Sequence, residues 1–259
     1  MNTDNNKFRI SAFVAEVIKM ANFSVPAARL LFALIYFQEQ TEEAWPTILV
    51  EPHTPQDHFC FVAQLRELGF PAKTKSSRFL RKPVEELACF PGVFDQLEIS
   101  SNGRYLTWRF AEDFFYAMAD MDVYGLIEVR EIALCQRNFD GALLAQIPLH
   151  RRKRLPEFRL IGPNQGYECP TGYVPTKITP RQVERRLRPS LQIWANATGI
   201  TFAVMLVQEG SRPGYTDIVI RMQHADTTWP KGRFIKRPAT AVMWTVGPLL
   251  IEADGESAA

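Results

Sequence analysis

The 259-residue sequence predicts an α+β chain made of two similar halves, each a group of helices followed by a β-hairpin. The first observation behind this is an order of patterns. Apolar residues at helical spacing over 24–38, 55–68 and 77–88 give way to strand-like runs over 94–99 and 105–110, joined through Ser100-Ser101-Asn102-Gly103, whose Asn-Gly is a strong hairpin signal. The second is that a helical run over 179–198 again leads into two strand-like runs, 200–207 and 215–222. The third is a shared signature. FLRKPVEEL (79–87) and RLRPSLQIW (186–194) each carry a leucine, a basic residue and a proline within a few positions, followed by an amphipathic continuation and a turn-linked strand pair. Three helices and a hairpin is the order of a winged helix-turn-helix unit. The expected architecture is therefore two such units in tandem, residues 1–125 and 126–223, with an irregular C-terminal extension at 224–259.

Along the chain, residues 1–18 hold only a short apolar run and no small-residue cleavage site, which argues against a secretory signal. No stretch reaches the ~20 apolar residues of a membrane span, so a cytoplasmic protein is expected. The helix over 24–38 has Ser24 to cap it, an early proline at Pro26, and Ala27, Leu30, Leu31, Leu34 and Ile35 on its core face. The run over 55–68 repeats Phe59, Val62, Leu65 and Leu68 at helical spacing and stops at Gly69, while the run over 77–88 contains Pro83. Beyond the hairpin, 111–121 reads as a helix and 126–147 as a longer one interrupted near Asn138 and Gly141. A Gly- and Pro-rich loop, 162–175, separates this from the helix that begins at Thr179. There, Thr179 and Gln182 form a capping box around Pro180 at the first helical position. After residue 223 the chain shows no clear periodicity.

With 46% hydrophobic and 22% charged residues, the composition is that of an ordinary globular protein, and its net charge is +2. The charge is unevenly placed. Between Arg151 and Arg188 there are ten Lys or Arg and three acids, whereas 39–51 and 252–256 lean acidic. The four cysteines, Cys60, Cys89, Cys135 and Cys169, are widely spaced and mostly set among apolar neighbours, which predicts buried free thiols.

At roughly 100° per residue, Arg181, Arg185 and Arg188 fall on one stripe of the helix from Thr179, opposite Val183, Leu187, Leu191 and Trp194. Such a helix docks by its apolar side and presents guanidinium groups that suit phosphates and guanine edges. Arg181, Arg185, Arg186 and Arg188, with Lys177 just before them, are the foremost candidates for DNA contact. Pro189, inside the same helix, predicts a kink between a DNA-facing first half and a core-facing second half. Phosphate contact is expected of Arg151, Arg152, Lys153 and Arg154. In the first half, Lys73, Lys75, Arg78, Arg81 and Lys82 form the equivalent basic region, and Arg212 at the second hairpin's tip is a candidate backbone or minor-groove contact. An enzyme is not expected. The histidines at 53, 58, 150 and 224 are scattered, and the chain lacks a phosphate-binding glycine loop, a serine nucleophile motif and a His-hydrophobe-His metal pair near a tyrosine. No metal or cofactor is implied.

The run RRLRPSLQIWANATGITF (185–202) resembles the second winged-helix domain of the plasmid replication initiator (Rep) family. Leu187, Pro189, Ser190, Leu191, Asn196 and Thr198 take the places of that family's motif, and Gly210, Arg212 and Gly214 lie in its wing. The first half is similar more loosely, through Ala28-Arg29-Leu30-Leu31, Leu106-Thr107-Trp108-Arg109-Phe110 and Tyr124. Together the match spans roughly residues 20–223. The chain departs from the family where Trp194-Ala195 replaces a usual glutamate, in the 162–175 loop and in the tail. The resemblance implies a non-enzymatic, sequence-specific double-stranded DNA-binding protein that binds origin repeats and helps open the origin. It also implies the host initiator ATPase and replicative helicase as partners, and a homodimer that represses its own synthesis. A winged-helix regulator of a phage or mobile element, or a subunit of a larger nucleoprotein complex, would use the same architecture.

Overall fold

The computed structural model describes residues 6–41, 55–70, 76–119, 122–161, 178–208, 214–224 and 241–249, and shows a mixed helix and strand protein. The chain opens with β1 (Lys7–Ser11) and α1 (Ala12–Ala21), neither of which the local sequence pattern marks. Ser11 caps α1 by accepting the Val14 N–H at 3.3 Å, and Asn22 ends the helix with a left-handed φ of 48°. Helix α2 (Val25–Thr41) is buried nearly all round and forms the centre of the first half.

Residues 55–68 do not form one helix. His58–Phe61 is a strand, β2, antiparallel to β4, and only Val62–Glu67 is helical, as α3. Gly69 then stops the chain with φ +85°, as its place in the sequence suggests. Helix α4 (Arg78–Ala88), with Pro83 inside it, precedes a hairpin of β3 (Phe94–Ile99) and β4 (Tyr105–Phe110) that turns through Gly103 at φ +66°. Trp108 of β4 reaches back to α2, where its Nε1–H donates to the buried Gln38 Oε1 at 3.1 Å.

The expected helix over 126–147 is replaced by three elements. β5 (Tyr124–Glu128) pairs antiparallel with β1, Val129–Leu134 make a 3-10 helix, and α6 (Asp140–His150) follows after a short loop. Asp140 fixes where α6 starts, its Oδ2 accepting the N–H groups of Gln136 and Arg137 at 2.6 Å each. Helix α5 (Glu112–Ala119) lies between the hairpin and β5. Residues 125 and 126, on either side of the expected domain boundary, both lie within β5.

Gly125 marks a close crossing of β5 over the last turn of α6. A Cβ built there would sit 2.7 Å from Leu149 N, 2.8 Å from Pro148 Cβ and 2.9 Å from the Pro148 carbonyl carbon. Because two of those atoms are backbone, Gly125→Ala is expected to force the two elements apart and cost about 1–3 kcal/mol. A thermal melt of the variant superimposable on that of the parent would show that the two elements accommodate a methyl group at no cost.

The second half repeats the strand arrangement of the first. β6 (Glu157–Arg159), β7 (Ile200–Val207) and β8 (Asp217–His224) are ordered β6-β8-β7, as β2, β3 and β4 are ordered β2-β4-β3. In each case a short strand lies against the second strand of a hairpin that follows a helix. The helix in the second half is α7, in which Pro180–Gln182, Val183–Leu187 and Arg188–Thr198 run on without a break. Leu80, Val84 and Leu87 of α4 and Leu187, Leu191 and Trp194 of α7 stand at the same spacing and are all buried. Among the described residues of the expected irregular extension, Val242–Val246 form a further strand, β9, antiparallel to β7.

One continuous hydrophobic core joins the halves, with α6 packed on α1 and β5 from one side and reaching β6 on the other. Of the cysteines, Cys60 and Cys135 are buried free thiols as expected, whereas Cys89, just past α4, is free and exposed, and Cys169 lies outside the described residues. Among the described residues no helix is long and apolar enough to cross a membrane.

Candidate nucleic-acid interface

Helix α7 begins as its sequence requires. Thr179 Oγ1 accepts the Gln182 N–H at 3.2 Å while Gln182 Oε1 accepts the Thr179 N–H at 2.8 Å, so two otherwise unpaired donors are satisfied reciprocally. Val183, Leu187, Leu191 and Trp194 are all buried, at 2% exposure or less, and Arg181, Arg185, Arg186 and Arg188 are all exposed. The apolar face runs through the whole helix. Pro189 therefore does not divide it into a DNA-facing and a core-facing half.

The irregularity lies one turn earlier. Val183–Leu187 form a π-turn, and the Arg188 N–H donates to the Val183 carbonyl five residues back. The extra residue widens the helix immediately before a proline that lacks a donor and whose ring crowds the preceding turn. It also rotates everything that follows relative to a straight α-helix. Arg188 consequently leaves the stripe of Arg181 and Arg185. Its guanidinium lies 5.1 Å from the centroid of the Trp244 ring on β9 and makes an ion pair with Glu184 at 3.3 Å.

Among the described residues the remaining expected contacts occupy two other elements. In the turn from α6 to β6, Arg152, Lys153 and Arg154 are exposed. Arg151 is turned inward, its side chain 19% exposed, donating to the Leu126 carbonyl at 2.9 Å and pairing with Glu131 at 3.5 Å. Its role in the fold is to tie the end of α6 to β5 and the 3-10 helix. On α4, Arg78, Arg81 and Lys82 are exposed, and Arg81 lines a cleft of about 680 Å³ between α4 and the first hairpin, with Glu85, Glu98, Ser100 and Asn102 on its walls. Those two acids make this face less basic than that of α7, where Glu184 is committed to Arg188. Lys73, Lys75, Lys177 and Arg212 lie outside the described residues, as do the 162–175 loop and Gly210.

Two residues of this surface were not singled out from the sequence. Arg104 is exposed in the turn of the first hairpin, directly after the Asn-Gly that predicts that turn, and so had a local signal. Trp244 had none, because its place depends on β9 joining β7.

The described residues thus build an α+β protein with two helix–hairpin groups of the same strand order, the second of them presenting an arginine face. A similar fold occurs in a solved structure described as the crystal structure of Pi initiator protein in complex with iteron DNA, with a TM-score of 0.55 and 12% sequence identity over 87% of this chain and 100% of that one. At that identity the likeness is one of fold. No protein-family model matches the chain, and no curated protein matches it by sequence.

Proposed function

We propose that the chain is a sequence-specific double-stranded DNA-binding protein, a replication initiator of the plasmid Rep type in which each helix–hairpin group is a winged-helix unit. The observation that carries this reading is α7. It is a long helix locked to the core by one face, its opposite face bears Arg181 and Arg185 with Arg186 beside them, and it stands immediately before the hairpin of its unit. Like charges this close repel one another, and the single acid among them is already paired, so the face is stabilised by a polyanion. The initiator-like fold and the motif shared with the Rep family around Leu187, Pro189 and Asn196 support the same reading. In it, α7 lies in the major groove, α4 and the hairpin turn at Arg104 supply a second contact, and Arg152, Lys153 and Arg154 hold phosphates. Origin repeats are then the target, and the host initiator ATPase and helicase are the protein partners. A homodimer is the repressing form, the protein works in the cytoplasm, and it carries out no covalent chemistry.

Binding to DNA from beside its own gene, measured over a salt series, tests this reading. A steep fall of affinity with salt is expected, as several phosphates are neutralised. Arg185→Ala should cost about 1–3 kcal/mol and relax sequence choice, whereas Arg152→Ala should weaken all sequences alike and lower the salt slope by about 1. Salt-independent binding, or none, rejects the DNA reading. Binding to a single promoter palindrome and not to direct repeats would make the protein a winged-helix regulator instead.

A further inference from the structure

Among the described residues the two halves share a strand order but differ by one strand. The first sheet is β2-β4-β3 and the second is β6-β8-β7-β9, and the added strand lies on the edge beside β7, the strand into which α7 leads. From there the chain makes a run of contacts with one ridge of α7. Glu184, Arg188, Gln192 and Asn196 follow one another at four-residue spacing, which places them along a single ridge of the helix. Trp244 lies under the Arg188 guanidinium. The Gly247 carbonyl accepts from Gln192 Nε2 at 2.9 Å. The Leu249 N–H donates to Asn196 Oδ1 at 3.0 Å, and Gln192 Nε2 donates to the same oxygen at 3.0 Å.

These contacts need a close approach. A Cβ at Gly247 would stand 3.2 Å from Thr201 Oγ1 of β7, so the backbone passes tightly over the start of that strand. The Trp244 Nε1 is buried and makes no hydrogen bond among the described residues, so the indole is placed by packing alone and offers its face to the guanidinium. The polar atoms of Gln192 and Asn196 that these contacts use are directed at the strap. Arg181 and Arg185, by contrast, stand away from it on the exposed face.

We infer that residues 242–249 form a positioning strap for the DNA-reading helix, with Trp244 as the positioning residue that holds Arg188 and, through the Glu184–Asn196 ridge, sets the roll of α7 in the groove. The inference rests on the DNA-binding reading above. A helix whose roll is fixed presents Arg181 and Arg185 to the same base edges each time. A helix released from the strap still carries its charge but loses discrimination.

The test uses the full chain, a duplex selected by the unaltered protein from a random-sequence pool, and a scrambled duplex of the same composition. Trp244→Ala is expected to reduce the ratio of selected to scrambled affinity about five- to tenfold while leaving scrambled binding and its salt slope nearly unchanged. Trp244→Phe, which keeps an aromatic face, should restore the ratio to within about twofold. Arg188→Ala should reproduce the loss, and the Trp244→Ala, Arg188→Ala double variant should lose no more than either single one, since both remove one interaction. If Trp244→Ala does not fold, Trp244→Leu takes its place and is held to the same pattern. An unchanged ratio, additive losses, or a phenylalanine variant as poor as alanine overturns the strap while leaving the DNA reading intact. An unaltered protein that selects no duplex overturns both.

Discussion

Trp194→Ala is expected to lower the free energy of unfolding by about 3–5 kcal/mol, and to displace the arginine face with it. Trp194 is fully buried and is among the largest side chains in the core. It sits on α7 one turn after Leu191, so it closes the apolar stripe that docks the helix against the strands following it. Alanine would leave a cavity in the core to which the fully buried Leu187, Leu191 and Phe202 also belong, and close packing there means it could be filled only by moving the helix. The indole Nε1 is buried without a hydrogen-bond partner among the described residues, so the ring contributes through packing and not through its polar end. Trp194→Phe should therefore retain most of the stability. Urea unfolding of the three proteins measures the difference as a shift in midpoint at constant slope. A loss below about 1 kcal/mol for the alanine variant would mean that α7 is not anchored by this residue.

The elements legible in the sequence are those specified by neighbours in the chain. The cap at Thr179, the core faces of α2 and α7, the stop at Gly69 and the 94–110 hairpin all rest on residues a few positions apart, and each appears where its local pattern places it. The elements that escaped are those that exist only through a distant partner. β1 forms because Lys7–Ser11 pair with Tyr124–Glu128, and β9 forms because it lies along β7. The pattern over β2 reads as helix because Phe59 falls three residues before Val62, which extends the true period of α3 backward. What decides its state is Cys60 facing inward between exposed Phe59 and Phe61, alongside β4. The same division runs through the candidate site. That Arg181 and Arg185 oppose the core follows from helical geometry, but the π-turn that moves Arg188 to Trp244, and the contacts that draw Arg151 to Leu126 and Glu131, depend on tertiary partners.

These partners also change what the charge distribution means. The excess of positive charge between Arg151 and Arg188 looks like one continuous basic region in the sequence. In the fold, Arg151 and Arg188 are held by the protein itself, and Arg159 pairs with Asp217 at 3.6 Å. Among the described residues, the other basic side chains of this stretch, Arg152 to Arg154 in one turn and Arg181, Arg185 and Arg186 on one helix, are fewer but exposed and concentrated on two elements. A concentrated charge is what distinguishes a polyanion-binding face from a merely solvated one in a chain whose net charge is only +2.

Acidification should loosen the seam between the halves. His150, the last residue of α6, is buried, its ring 5.6 Å from that of Phe158 on β6, and its Nδ1 finds no hydrogen-bond partner among the described residues. Burial, reinforced by the charges of Lys153 and Lys19, lowers its pKa from 6.5 to about 4, against a weaker opposing contribution from the backbone of Glu157. A histidine with a depressed folded pKa favours the fold while neutral. Its contribution is complete above pH 6.5, where the unfolded side chain is also neutral, and is lost progressively as the pH falls toward 4. Between pH 7.5 and pH 4.5 the loss amounts to roughly 2–3 kcal/mol. Burial raises the pKa of Glu131 and of Asp140, and those groups act in the opposite direction, favouring the fold as they protonate. Comparison with His150→Gln removes their contribution, because both proteins carry them. Relative to the glutamine variant, the parent is expected to lose roughly 2–3 kcal/mol of unfolding free energy over this interval. Parallel stability curves for the two proteins would show that His150 meets acid as an ordinary solvated side chain and that the seam does not depend on its staying neutral.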